Sequence, residues 1–301
     1  MLKKSIVAVV VLSLAVFSLA GCGGGKVEDN YIEVRGSDTM VNLGQQYAEA
    51  YMDAHSEVSI SVTGGGSGTG IAALINNTVD IANSSRQIRA SELEQAADAG
   101  VDVHEFIVGQ DAISVIVHED NPITEITMAD LKKIWTGQIT EWSEMGWEEG
   151  GTITLYSRQS NSGTHVFFWE TVMNQEDWAE ATMFMPGTSA IYEGVVADTN
   201  AIGYVGVAYV GDGVHALKVA LEAGGTYVDP LLRANVDSGA YPIARPLYVY
   251  TNGVPEGAVL DYLKWMLSAE GVAVLEAVGF YANTPAYNQQ NTDTFRGLGI
   301  E

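Results

Sequence analysis

A chain of 301 residues with 38 acidic and 14 basic side chains carries a formal charge of −24, and 47% of its residues are hydrophobic. That excess of acid speaks against nucleic acid or an anionic lipid surface as partner of the folded body, and it repels free anions at long range, so any anion site must rest on local dipoles and screening. The charge reads first as a solvated surface, and the apolar content suffices for a core in one or two domains.

Lys3 and Lys4 precede an apolar run from Ile6 to Ala20 that ends in Leu19-Ala20-Gly21-Cys22. This is the pattern of a secretory leader over residues 1–21, too short and too abruptly ended for a transmembrane span. Its loss would remove two lysines and no acids, moving the charge from −24 to −26. Cys22 is the only cysteine, so no internal disulfide is open to it. Its place at the cleavage point resembles the bacterial lipoprotein box, in which that cysteine becomes a lipid-modified first residue. Gly23-Gly24-Gly25 follows as a flexible tether, taken as residues 22–30.

In chain order, Ile32-Glu33-Val34 predicts a strand that passes through Ser37-Asp38-Thr39 into a helical stretch from Leu43 to Met52. The alternation Val58-Ser59-Ile60-Ser61-Val62 predicts a second strand, turned by glycines from Gly64 through Ser67-Gly68-Thr69-Gly70 into the helical run Ile71 to Ile75. Lys132 and Lys133 fall on a helix with a solvated face, and Trp135 to Trp142 reads as packing. A third strand, Ile153-Thr154-Leu155, leads through Ser162-Gly163-Thr164 to a helix from His165 to Met173. Val259 to Val278 has helical spacing, with Leu260, Leu263, Leu267 and Val274 on its apolar positions, and is expected to close the first domain. The class is α/β, built from repeated strand-loop-helix units. Two apolar segments, Ala112 to Val117 and Ile243 to Tyr250, are the expected crossings between two domains: 31–112 with 246–301, and 113–245. The third Ser/Thr/Gly junction then faces the first two across a cleft.

Helix N-termini leave N–H groups unpaired and carry positive dipole ends, so three such junctions suit one small oxyanion. An anion stripped of water needs several hydrogen bonds per oxygen. Ser37, Thr39, Ser67, Ser162 and Thr164 supply hydroxyls, Gly68 and Gly163 let backbone N–H groups approach, and Arg158 adds a cationic, bidentate contact. Asp38 can only accept while ionised, so it favours a ligand that keeps a proton, as phosphate does near neutrality and sulfate does not. Its position equally suits a helix N-cap. Catalysis lacks its signatures: neither Ser67 nor Ser162 lies in Gly-x-Ser-x-Gly, and no glycine loop ends in Gly-Lys-Ser/Thr. His165 is expected to face solvent. The five histidines show no metal-ligand spacing, and no cofactor is called for.

Gly36-Ser37-Asp38-Thr39, Gly64 through Gly70, Thr78-Val79-Asp80-Ile81-Ala82, Ile134 through Trp142, Arg158 through Thr164, Asn200 through Val205, Tyr241-Pro242-Ile243 and Arg245-Pro246-Leu247-Tyr248 occur in this order. Their combination resembles the phosphate-binding lipoproteins of the ABC-type phosphate (Pst) uptake system. The resemblance implies a type II periplasmic-binding-protein fold, with two hinge crossings and a ligand cleft between the domains. It implies Thr39 and Met40 in a first contact loop, Ser67 in a second, and Arg158, Ser162, Gly163 and Thr164 in a third. Ser85 stands where the best-known members carry an aspartate, and similarity to shorter members puts the proton-accepting carboxylate at Asp38. Arg86 either approaches the cleft or forms an ion pair beside it. The implied protein is not an enzyme. It captures inorganic phosphate, delivers it to an ABC permease, and works as a monomer anchored through Cys22 outside the cytoplasm. Receptors for sulfate, arsenate or a phosphonate, and a phosphate sensor or adhesin, are the alternatives.

Overall fold

A computed structural model describes residues 30–300. The leader, Cys22 and the glycine tether up to residue 29 lie outside the described residues.

The first strand, β1 (Tyr31–Gly36), buries Ile32 and Val34 and turns Tyr31, Glu33 and Arg35 outward, the period of two that alternation dictates. It is followed by α1 (Val41–Ala54), β2 (Ser59–Thr63), α2 (Ser67–Ile75), β3 (Ile81–Ser84) and α3 (Ala90–Asp98). Next comes β4 (Val103–His118), 16 residues long. Beyond it lie β5 (Glu125–Thr127), α4 (Met128–Trp135), β6 (Thr154–Arg158), α5 (Gly163–Thr171), β7 (Met183–Met185), α6 (Thr188–Ala197), β8 (Ala201–Gly206), β9 (Val214–Ala216), β10 (Lys218–Ala220) and α7 (Arg233–Asp237). The chain returns along β11 (Ala244–Asn252) and ends in α8 (Gly257–Met266), α9 (Ala269–Val278) and α10 (Pro285–Gly297).

The sheet runs β2-β1-β3-β11-β4-β8-β6-β7. In the first lobe β1 pairs in parallel with β2 and β3; in the second, β6 pairs in parallel with β7 and β8. The strand that joins them is β4. Its residues from Val103 to Ala112 lie antiparallel to β11, and those from Ile113 to Val117 lie antiparallel to β8. Instead of two sheets joined by short links, one long strand belongs to both. Asp111 and Arg245 are cross-strand partners at the point where it passes from one lobe to the other. A two-lobed α/β fold of this kind puts the C-terminal ends of β1, β2 and β6, and the helix starts that follow them, at the cleft between lobes.

In the first lobe, Tyr47 and Tyr51 of α1 pack edge-on against Trp265 of α8, with ring centroids 5.8 and 5.4 Å apart. In the second, Phe168 stacks on Tyr204 at 4.0 Å, and Trp135 meets both rings. Trp135 and Trp142 are fully buried, whereas the residues between them are exposed or half-buried, so the packing expected of this segment is carried by its two ends. The helical stretch expected from Val259 to Val278 is instead two helices. Ser268 interrupts it, because its Oγ donates to Trp265 O (2.7 Å) and accepts from Gly271 N–H, which caps the start of α9. Among the described residues no helix is long and apolar enough to cross a membrane.

Candidate functional site

Each expected junction folds as strand, loop and helix start. Ser37 follows β1, and Asp38 to Met40 form a 3₁₀ turn that leads into α1. Ser67 opens α2, with Gly66 as its N-cap. Ser162 caps α5, its Oγ accepting from His165 N–H at 3.4 Å, and Gly163 and Thr164 are that helix's first residues.

Tertiary folding brings these segments into contact. Ser37 Oγ donates to Ser85 Oγ at 2.8 Å, and Ser67 Oγ lies 3.4 Å from Ser85 Oγ and accepts from Ser85 N–H at 3.1 Å. From the other lobe, Thr164 Oγ1 lies 2.7 Å from Thr39 Oγ1. Ser37, Thr39, Ser67, Ser85, Ser162 and Thr164 are all buried. Gly163 must be glycine here, since a Cβ on it would stand 2.3 Å from Ser67 Oγ and 2.9 Å from Ser85 Oγ.

Arg158 and Asp38 join the lobes through charge. The guanidinium is 2% exposed, and its Nη2 donates to Asp38 Oδ2 at 2.5 Å while Nη1 donates to Thr188 Oγ1 at 2.8 Å. The other carboxylate oxygen of Asp38 accepts from Gly65 N–H at 2.7 Å, and Tyr209 donates to Asp38 O at 3.0 Å. Asp38 caps no helix of its own. Burial, the largest cause, pushes the Tyr209 hydroxyl up to about 12, so it stays a donor at neutral pH.

Two of the expected contact residues, Met40 and Gly68, have other partners here, and His165 and Arg86 find partners of their own. Met40 turns its side chain into the core beside Val34, Leu43 and Val249, and its N–H donates to Ser37 O at 3.0 Å, because the 3₁₀ turn closes there. The N–H of Gly68 is taken by Asn161 O at 3.0 Å. His165, expected to face solvent, is only partly exposed: it stacks on Trp178 at 4.8 Å and meets Phe184 at 5.8 Å, rings supplied by the segment before β7 and by β7 itself. Burial, the first cause, holds its imidazole below the ordinary histidine range. Arg86 forms a bidentate ion pair with Glu92 at 2.8 and 2.6 Å.

Two further residues at the cleft, Asn161 and Arg245, are absent from the sequence expectations. Asn161 reaches across the cleft: its Nδ2 donates to Gly65 O at 2.7 Å and to Thr69 Oγ1 at 3.3 Å. Gly66, at φ +95°, makes room for it, since a Cβ there would lie 2.6 Å from Asn161 O. Behind Thr164, Arg245 pairs with Asp111, both buried. An arginine in so apolar a segment was the available signal, because a charge in a core strand needs a partner. Among the described residues no group of three or more His, Cys, Asp or Glu could hold a metal ion.

The arrangement can hold a small oxyanion: hydroxyls from both lobes, two helix starts and a neutralised arginine meet at one place. A family model described as the PBP superfamily domain matches residues 24–270. The phosphate-binding protein PstS of Pseudomonas aeruginosa is 29% identical over 262 residues, covering 81% of this chain and 80% of that one. The PstS of Staphylococcus epidermidis is 28% identical over 308 residues, covering 97% and 93%. An X-ray structure of a candidate phosphate ABC transporter substrate-binding protein from Clostridium perfringens, with bound phosphate, aligns at a TM-score of 0.76 and 28% identity, covering 84% of this chain and 100% of that one. With a match that runs through both lobes, this chain belongs to the PBP superfamily.

Proposed function

We propose that this chain is the substrate-binding component of an ABC phosphate uptake system, which closes its lobes on inorganic phosphate and hands it unchanged to the permease. The observation that carries this reading is the meeting of Thr39 and Asp38 from one lobe with Thr164 and Arg158 from the other, beside Ser37 and Ser67, which converge on Ser85. The N–H groups of Ser67 at the start of α2 and of Gly163 and Thr164 at the start of α5 precede the first intrahelical bonds and serve the anion with the site's hydroxyls, while Gly68 N–H stays with Asn161 O.

Phosphate is favoured within this class by Asp38. Its pairing with Arg158 brings no net charge to the site, and its remaining lone pairs accept from a protonated oxygen. Arsenate, which keeps a proton as phosphate does, fits the same requirement, whereas sulfate offers Asp38 no proton. Ser85 adds a hydroxyl where a second carboxylate would repel the anion.

The lobes are assigned to residues 31–112 with 246–301 and to 113–245. The chain is read as a monomer without catalytic activity, exported by its leader and anchored through lipid-modified Cys22 on the outer side of a membrane. The PstS relatives and the phosphate-bound Clostridium protein support the phosphate and transporter parts of this reading. Titration calorimetry at neutral pH tests it: heat from phosphate with one-to-one stoichiometry is expected. Heat from sulfate and none from phosphate overturns it.

A further inference from the structure

Arg245 is the second arginine buried at the cleft. It sits on β11 directly opposite Asp111 of β4, where both strands pass between the lobes. Its Nε and Nη2 donate to Asp111 Oδ2 at 3.1 and 2.8 Å, and Asp111 Oδ1 accepts from Val207 N–H at 3.0 Å. A pair serving the hinge alone would end there. Instead, Arg245 Nη2 also donates to Thr164 Oγ1 at 2.9 Å, and Nη1 is buried with no hydrogen-bond partner among the described residues. The guanidinium carbon lies 5.5 Å from the centroid of the Phe167 ring, one turn further along α5.

We propose that Arg245, pinned by Asp111 at the crossing strands, is a positioning residue of the anion site that turns the single proton of the Thr164 hydroxyl to the Thr39 side, where bound phosphate accepts its hydrogen bond. A guanidinium has hydrogens and no acceptor, so an oxygen that accepts from it must direct its own proton elsewhere. Thr164 touches two polar neighbours by side chain, Arg245 and Thr39, and only the Thr39 side opens to the anion cluster. Thr164 therefore meets the anion as a donor. Asp38, which only accepts, takes the protonated oxygen. The two ion pairs, Arg158 with Asp38 and Arg245 with Asp111, thus orient hydrogen phosphate without adding net charge. The same contact couples the crossing strands to α5.

This inference rests on the phosphate reading, and a double-mutant cycle separates the two. Phosphate binding is titrated for the unaltered mature chain, Arg245→Lys, Thr164→Val and the double variant, each with its melting curve. Lysine keeps a cation opposite Asp111 but not the fork that reaches Thr164. Each single change is expected to weaken phosphate by about tenfold or more, and the double variant to bind no worse than the weaker single. Thr164→Ser, which keeps the hydroxyl, is expected to bind nearly as the unaltered chain. Losses that multiply in the double variant, or an Arg245→Lys that binds as tightly as the unaltered chain, overturn the proposal. An unaltered chain that ignores phosphate overturns the functional reading instead. Should Arg245→Lys not fold, Arg245→Met combined with Asp111→Asn removes both charges together and takes its place in the cycle, with the same outcomes deciding.

Discussion

Replacing Asn161 with alanine removes a clasp that holds the lobes together without belonging to the anion cluster. Two bonds disappear, the 2.7 Å contact from Nδ2 to Gly65 O and the 3.3 Å contact to Thr69 Oγ1. The backbone bond from Gly68 N–H to Asn161 O stays. Nothing is left stranded: Asn161 is exposed, and Gly65 O keeps Thr69 Oγ1 as a donor at 2.6 Å. A hydrogen bond exchanged with water is worth about 0.5–1.5 kcal/mol net, so the short bond and the longer one together contribute about 1–2 kcal/mol to the closed form. That is about 5- to 30-fold in the closing equilibrium. Both partners meet only on closure, so the loss should appear in phosphate release and not in capture. Stopped-flow fluorescence on the mature chain, read through its tryptophans, should show the dissociation rate rising by that factor with the association rate and melting temperature unchanged. An unchanged release rate, or a loss confined to association, refutes the clasp.

Gly163→Ala places a methyl group 2.3 Å from Ser67 Oγ, so the lobes cannot meet; calorimetry should find phosphate binding lost while the melting temperature holds within a few degrees. Asp38→Asn removes the acceptor for a protonated oxygen and leaves Arg158 without its counter-charge; competition titration should show phosphate weakened by about tenfold and sulfate gaining ground. Burial is the largest single influence on Glu92 and raises its pKa, but its bonds to Arg86 and Arg89 outweigh it, and the carboxyl lies below its ordinary range when folded. A depressed folded pKa gives stability that is present above the unfolded value and lost as pH falls through the folded one. Melting curves should therefore find Glu92→Gln less stable at neutral pH, with the difference fading below about pH 4.

The strand-loop-helix junctions were legible because their chemistry is local. Val58 to Val62 alternates, the glycines from Gly64 break it, and α2 starts at Ser67, a few residues before its apolar run begins at Ile71. What stayed hidden depends on distant partners. The length of β4 was obscured because it is buried nearly throughout, so period two vanishes, and Gly109-Gln110-Asp111 looks like a break. Asp111 is tolerated there only because register sets Arg245 opposite it, and register between strands so far apart in sequence is not written in either segment. His165 looked solvent-facing on its own helix, since the rings of Trp178 and Phe184 that cover it come from the segment after α5. Asn161 lay within a quoted motif, yet its role as a clasp needs the opposite lobe in view.

The account rests on one anion held between the first turns of α2 and α5. A crystal structure of the mature chain grown with phosphate tests this most directly. Phosphate should lie within hydrogen-bond distance of Ser67 Oγ, Thr164 Oγ1 and Arg158, with one oxygen on Asp38. Density for phosphate only outside the cleft, with the lobes closed as they are here, would contradict it.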